Sequence, residues 1–262
     1  MLDMPVALYV AAEVQWTALL REYVPRGFGG AGQAYGPAEV TRAGAALEAV
    51  TAVVLHVEAL SGIGNSGRAD VEVDLAGLTP GDFGILQAVL DDAVQLSRNQ
   101  ELLVLPPLPE VIALRNWFCG EAIAQASGAT PSPWKLRSDG AHADSGPAVW
   151  DPAIEPDSGA WLIGDDRNRI VAVSGPALEL LGWSEQQLVG QRLLAVIPPD
   201  YREAHLAGFT RNVVEGSGRL LGIPLDLPAL RTDGAEVPVT LTLTRHRAGA
   251  GRTVFLGVLQ PR

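Results

Sequence analysis

The chain has 262 residues, 30 acidic against 19 basic side chains, a formal charge of −11 and 47% hydrophobic residues. That acidity, with its Lys and Arg scattered, excludes a nucleic-acid surface, which needs clustered cations against phosphates. The single cysteine, Cys119, excludes an internal disulfide and any zinc site built on several thiolates.

The first residues, "MLDMPVALYV", lack the basic stretch of an export signal and carry an early acid. The best apolar run, "AVTAVVLHVEAL", is interrupted by His56 and Glu58 and falls short of the ~18 residues of a membrane span. The expectation is a cytoplasmic protein with no membrane and no nucleic-acid partner.

Taken in chain order, "PVALYVAAEVQWTALLREYV" reads as a helix ended by Pro25 and the glycines after it. A second helix is expected from Pro37 to Leu60. Its Val40, Ala43, Leu47, Val50, Val54 and Val57 recur at spacings of three and four, the pattern of a helix-packing seam. "ADVEVDL" alternates like a short strand, which makes room for a small strand pair. "TPGDFGILQAVLDDAVQL" opens with Thr79 as N-cap and Pro80 in the first helical position, with Phe83, Leu86, Leu90 and Ala93 on one face. "PLPEVIALRNWFCGEAIAQ" aligns Leu108, Val111, Leu114, Phe118 and Ala122. Four helices therefore fill a domain over residues 1–128.

Three features of this domain invite a chemical reading. Gly62, Gly64 and Gly67 spell G-x-G-x-x-G, but after a helix and before a strand, the reverse of the context that aims amides at a phosphate. His56 lacks the acidic neighbour usual beside a phospho-accepting histidine, since Val57 stands there. The acidic residues Glu13, Glu22, Glu48, Glu58, Asp91, Asp92 and Glu110 are expected on solvated faces, and Asp91 and Asp92, being adjacent in a helix, should diverge. Cys119 reads as a small core residue. No enzyme is expected here; a further alternative is an activity in the helical domain, which loss on mutating Asp91 or Glu110 would reveal.

Residues 129–159 are dense in Pro, Gly, Ser and Asp and read as a linker, with Trp134 and Trp150 as places where it docks. From Ala160 to Arg262 the pattern is mixed. Two short strands surround a polar turn at Asp165, Asp166, Arg167 and Asn168. Short helices follow, stopped by Gly182 and Gly190, then a longer helix, "YREAHLAGFTRNVVEG". Three strands complete the order, the first two turning at Asp233-Gly234 and the last two around "AGAG". Val237, Val239, Leu241 and Leu243 alternate with Pro238, Thr240, Thr242 and Thr244, as on a strand with two unlike faces.

Three stretches in register carry a family resemblance: "IVAVSGPALELLGWSEQQLVGQ", "IPPDYR" and "LRTDGAEVPV". Residues 160–262 resemble a PAS domain. The fold class implied for the chain is α+β, a helical domain followed by a five-stranded antiparallel sheet cupped by helices. Ser174 stands where many members of that family carry Asn, so a weaker hydrogen bond is expected there.

The resemblance implies a sensor or dimerisation module, passing a small-molecule or partner signal to an unidentified signalling protein by contact. No output enzyme is expected, because the last strand runs to Arg262, and a homodimer is expected from the seam and from the outer face of the sheet. Leu241 and Phe255 are expected to line a ligand cavity opposite the helix carrying His205. An alternative follows from the similarity of "PPDYREAH" to the proximal stretch of haem-containing PAS domains. It makes His205 an axial ligand, Arg211 a propionate contact and Leu225 an apolar lining of the distal side. Flavin photochemistry is not expected, because it needs a cysteine inside the domain and Cys119 lies outside it.

Overall fold

In a computed structural model the described residues are 2–24, 35–61, 67–72, 77–136, 148–216 and 220–262. Gly62 and Gly64 of the glycine-rich motif lie outside them. The chain divides into two compact units. One comprises Met1–Gly140 with Glu203–Ser217, the other Ala141–Arg202 with Gly218–Arg262.

The first unit opens on a strand, β1 (Leu2–Pro5), antiparallel to β2 (Arg68–Val71) with Leu2 opposite Val71. Its helices are α1 (Val6–Tyr23), α2 (Pro37–Ser61), α3 (Pro80–Arg98) and α4 (Pro109–Ala126). The apolar stripes face inward: Phe83, Leu86, Leu90, Ala93, Val111, Leu114 and Phe118 are fully buried. Tyr9, Trp16 and Phe118 form an aromatic cluster with centroids 5.6–5.7 Å apart. Two of the three ring pairs meet edge to face, which suits their quadrupoles.

The seam of α2 is also consumed inside the chain. Val40, Ala43, Leu47, Val50 and Val54 are each 7% exposed or less. It is a bundle stripe and offers no free surface for self-pairing; the Val57 side chain lies outside the described residues.

α3 starts as its sequence implies. The Asp82 carboxylate accepts from the Thr79 amide and hydroxyl, both at 2.7 Å, and Arg42 Nε donates to its other oxygen at 2.6 Å. A carboxylate at a helix start also meets the positive end of the helix dipole.

The second unit holds the five-stranded sheet, with order β4-β3-β7-β6-β5 and antiparallel pairing throughout. The strands are β3 (Ala160–Asp165), β4 (Ile170–Val173), β5 (Leu225–Leu230), β6 (Glu236–Arg247) and β7 (Thr253–Pro261). Between β4 and β5 come α5 (Gly175–Leu181), α6 (Glu185–Leu188), 3-10 turns at Leu193–Val196 and Pro199–Tyr201, and then α7 (Arg202–Glu215). By its contacts, Glu203–Ser217 groups with the four amino-terminal helices, although the sequence boundaries run 160–262 without a break.

The Pro/Gly-rich stretch docks at both of its tryptophans. Trp134 is 3% exposed, with its ring 5.7 Å from that of Trp117 on α4. Ala148, Trp150 and Ile154 pack on a sheet-face cluster of Trp161, Ile163, Val254 and Leu256. The Gly249 amide ties this segment to the β6–β7 turn by donating to the Val149 carbonyl at 2.7 Å.

Candidate functional site

Side chains opposite one another in antiparallel strands share a face. Leu225 is opposite Leu241, Leu241 opposite Leu259, and Leu259 opposite Ala160, which makes one row across four strands. Two residues along, Leu243, Gly257 and Leu162 make a second row, and beyond it Phe255 faces Gly164. A Cβ placed on Gly257 would lie 3.1 Å from Leu241 Cδ1 and 3.5 Å from Leu243 Cδ2, so these leucines lean over the glycine. Along β6 this inner face carries Leu241 and Leu243 and then Arg245, opposite Phe255, and the other face carries Thr240, Thr242 and Thr244.

At the β3 end the inner face is closed. A Cβ on Gly164 would come within 2.8 Å of Leu193 Cδ1, so the 3-10 turn at Leu193–Val196 rests directly on the strand. Leu181, Leu188, Leu194 and Val196 are buried with it. Toward β5 and β6 the face is less sealed. Leu225, Leu227, Leu241, Leu243 and Phe255 are all only half-buried.

Three tethers hold the wall around this face. Ser174 Oγ accepts from the Trp161 amide at 2.9 Å, donates to the Gly159 carbonyl at 3.0 Å and accepts from the Ala177 amide at 3.3 Å. It thus caps α5 and binds the helix to β3. Second, Arg231 Nη1 donates to the Leu180 carbonyl and the Thr232 amide to the Leu181 carbonyl at 3.0 Å, joining the β5–β6 turn to the end of α5. Third, Arg252 Nη2 bridges Asp165 Oδ2 at 3.0 Å and Asp166 Oδ1 at 2.5 Å, tying β7 to the β3–β4 turn. Asp165 also accepts from the Arg167 and Arg169 amides at 3.0 and 2.9 Å. Buried carboxylates persist only when so matched. Asn168 completes the turn at φ +62°, which Asn tolerates better than most residues.

Of the residues singled out from sequence, Leu225, Leu241 and Phe255 share the inner face of the second unit. His205 and Arg211 lie half-buried on α7, which groups with the first unit, and the His205 ring sits 5.9 Å from that of Phe209.

Of the acidic residues expected on solvated faces, Glu48 and Asp91 are exposed and Glu110 departs. Glu110 is 2% exposed, because α4 turns it inward. Asp91 pairs with Arg115, itself 1% exposed, and Asp92 accepts from the Tyr23 hydroxyl. The two neighbours do diverge, each to its own partner. His56 is exposed on α2. Cys119 is fully buried, and desolvation pushes its thiol up to about 12, against a smaller opposing influence of Arg115. A thiol so held is a poor nucleophile. Among the described residues there is no group of three His, Cys, Asp or Glu arranged to hold a metal ion, and no helix is long and apolar enough to cross a membrane.

Comparison with known proteins bears on the carboxy-terminal region of the chain. Residues 157–262 match the family model for the PAS fold. A protein of Azorhizobium caulinodans described as uncharacterized is 31% identical over 109 residues, which is 41% of this chain and 14% of that protein. The chain thus matches only a small part of its relative. Among solved structures, the PAS domain of an HTR-like protein from Haloarcula marismortui aligns at 17% identity over 42% of this chain and 87% of its own, with a TM-score of 0.31. The PAS domain of a Colwellia psychrerythraea protein aligns at 17% identity over 39% and 85%, with a TM-score of 0.34. Residues 157–262 are a PAS domain, preceded by a helical region.

Proposed function

We propose that the PAS domain of this chain is the sensor of a signalling protein, and that its stimulus is a small apolar molecule held on the inner face of the sheet. The observation that carries this reading is the half-buried row of Leu225, Leu227, Leu241, Leu243 and Phe255, in register on one face and walled at the β3 end by Leu193. Apolar side chains in a finished core are sealed; a row left half-open, inside a wall held by buried polar tethers, is surface for an occupant. The row itself is apolar, with Arg245 beside its Phe255 end as the nearest charged side chain on that face, so the ligand is selected first by shape and apolar area.

The output passes by protein contact and without catalysis. Asp91, Asp92 and Asp82 of the first unit are each engaged by a structural partner, and Cys119 is sealed. The acidic surface suits a protein partner better than a nucleic acid. A second copy is one such partner. Ala148, Trp150 and Ile154 cover only the β3–β7 half of the outer sheet face, and the half carrying Thr240, Thr242 and Thr244 stays half-buried or exposed.

The sensor reading is tested by thermal melting of the full chain against straight-chain alkanols, indoles and naphthalenes. A compound present at 100 times its Kd stabilises by about 2.7 kcal/mol, a shift of several degrees. At least one should raise the Tm of the wild type and leave Leu241→Trp unmoved, because the indole fills the row. A panel without effect, or shifts that survive Leu241→Trp, would overturn the reading.

A further inference from the structure

We propose that the molecule held on the inner face of the sheet is an amphipathic carboxylate, with its apolar body along the leucine row and its carboxylate against Arg245. This rests on the sensor reading above and names the class of ligand. The residues concerned all belong to the second unit.

The sheet sorts its charges by face. Its five strands contain three acids, Asp165, Asp226 and Glu236, and two arginines, Arg245 and Arg247. Residues opposite one another in antiparallel strands share a face, and the face alternates along each strand. Asp165 lies opposite Val254, Asp226 opposite Thr240 and Glu236 opposite Leu230, which puts all three acids on the outer face with Thr240 and Thr242. Two of them are fixed there. Asp226 accepts from the Thr240 hydroxyl at 2.7 Å and pairs with Arg262 Nη1 at 3.0 Å, and Asp165 pairs with Arg252 at 3.0 Å. Arg245, opposite Phe255, and Arg247, opposite Thr253, instead continue the inner face of Leu241 and Leu243. The inner face is therefore apolar and then cationic, and no strand contributes an acid to it.

The two parts stand at opposite ends of one line. Arg245 is four residues beyond Leu241 on β6, about 14 Å at about 3.4 Å per residue. β5 begins opposite Leu241, so past that point β6 has only the bridge from Leu221 to Leu243 beside it, where the Gly222 amide donates to the Leu243 carbonyl at 2.8 Å. Exposure follows the same line. Leu241, Leu243 and Phe255 are half-buried, Ile223 is 50% exposed, and Arg245 is exposed. An elongated apolar body lying on the row thus brings a terminal carboxylate level with the guanidinium. The planar fork of Arg matches a carboxylate in two parallel bonds, which a point cation does not. At an exposed guanidinium the ion pair contributes modestly, so the row supplies most of the affinity and Arg245 the choice of end group.

Isothermal titration calorimetry of the full chain tests this with matched skeletons: decanol beside decanoate, naphthalene beside naphthoate, indole beside indoleacetate. The wild type should bind the carboxylate of at least one pair about five-fold more tightly than its neutral partner at low salt. The chain's own charge of −11 opposes any general preference for anions, so such a preference has to arise at a local site. Most of it should vanish at about 1 M salt, where screening acts over about 3 Å. Arg245→Gln should remove the preference and leave the affinity for the neutral compound unchanged. Arg245→Lys should keep part of it, because the charge remains while the paired bonds are lost. A carboxylate bound no more tightly than its neutral partner, or a preference that survives Arg245→Gln, would overturn the proposal and leave the sensor reading standing. Silence from every compound would overturn both.

Discussion

Ser174 does the work of three bonds with one hydroxyl: it accepts from Trp161 and Ala177 and donates to Gly159. Ser174→Ala leaves those groups buried and partly unmatched, so a loss of about 1–3 kcal/mol is expected in urea unfolding of the full chain. Ser174→Asn should retain most of the stability, since an amide oxygen can still cap α5. Some residues of the site were readable before any fold was known. The alternation of Val239, Leu241 and Leu243 against threonines told which face is apolar, because the strand period is two. Glu110 was misread as solvated, because a carboxylate on a helix gives no sign of the groups that will surround it.

Helix ends carry the clearest sequence signals, and α3 shows their consequence for pH. Asp82 is held down to about 2 from 3.8, first by the Thr79 hydroxyl, then by the Thr79 amide and by Arg42. A carboxylate whose pKa is lower in the folded state stabilises the fold fully above its unfolded pKa. That contribution fades as pH falls from about 4 toward 2. Asp82→Asn should therefore flatten the pH dependence of unfolding free energy in that window and leave the slope above pH 5 unchanged, as followed by urea titrations. α1 to α4 were legible because their apolar stripes have a helical period. β1 was not: four residues ending in Pro5 give no alternation, and only pairing with β2 makes them a strand. Nor was the Arg68–Glu203 ion pair legible: it joins residues 135 positions apart, and no local pattern encodes such a pairing.

At the scale of the molecule, the PAS domain was legible as a run of motifs in register, while the division of the chain by contact was not. The burial of the α2 seam changes where self-association should be sought. Val50, at 1% exposure, lies in the interior of the first unit. Val50→Asp places a charge there and should unfold that unit, costing more than about 4 kcal/mol by circular dichroism. A dimer detected by light scattering should instead weaken on Thr242→Arg, in the outer sheet face. The central claim is that the inner face of the sheet holds a small apolar molecule, and native mass spectrometry of the freshly purified full chain tests it most directly. The prediction is a bound mass of small-molecule size in the wild type and the bare polypeptide mass in Leu241→Trp. A bare mass in both, or a bound mass indifferent to the substitution, would contradict it.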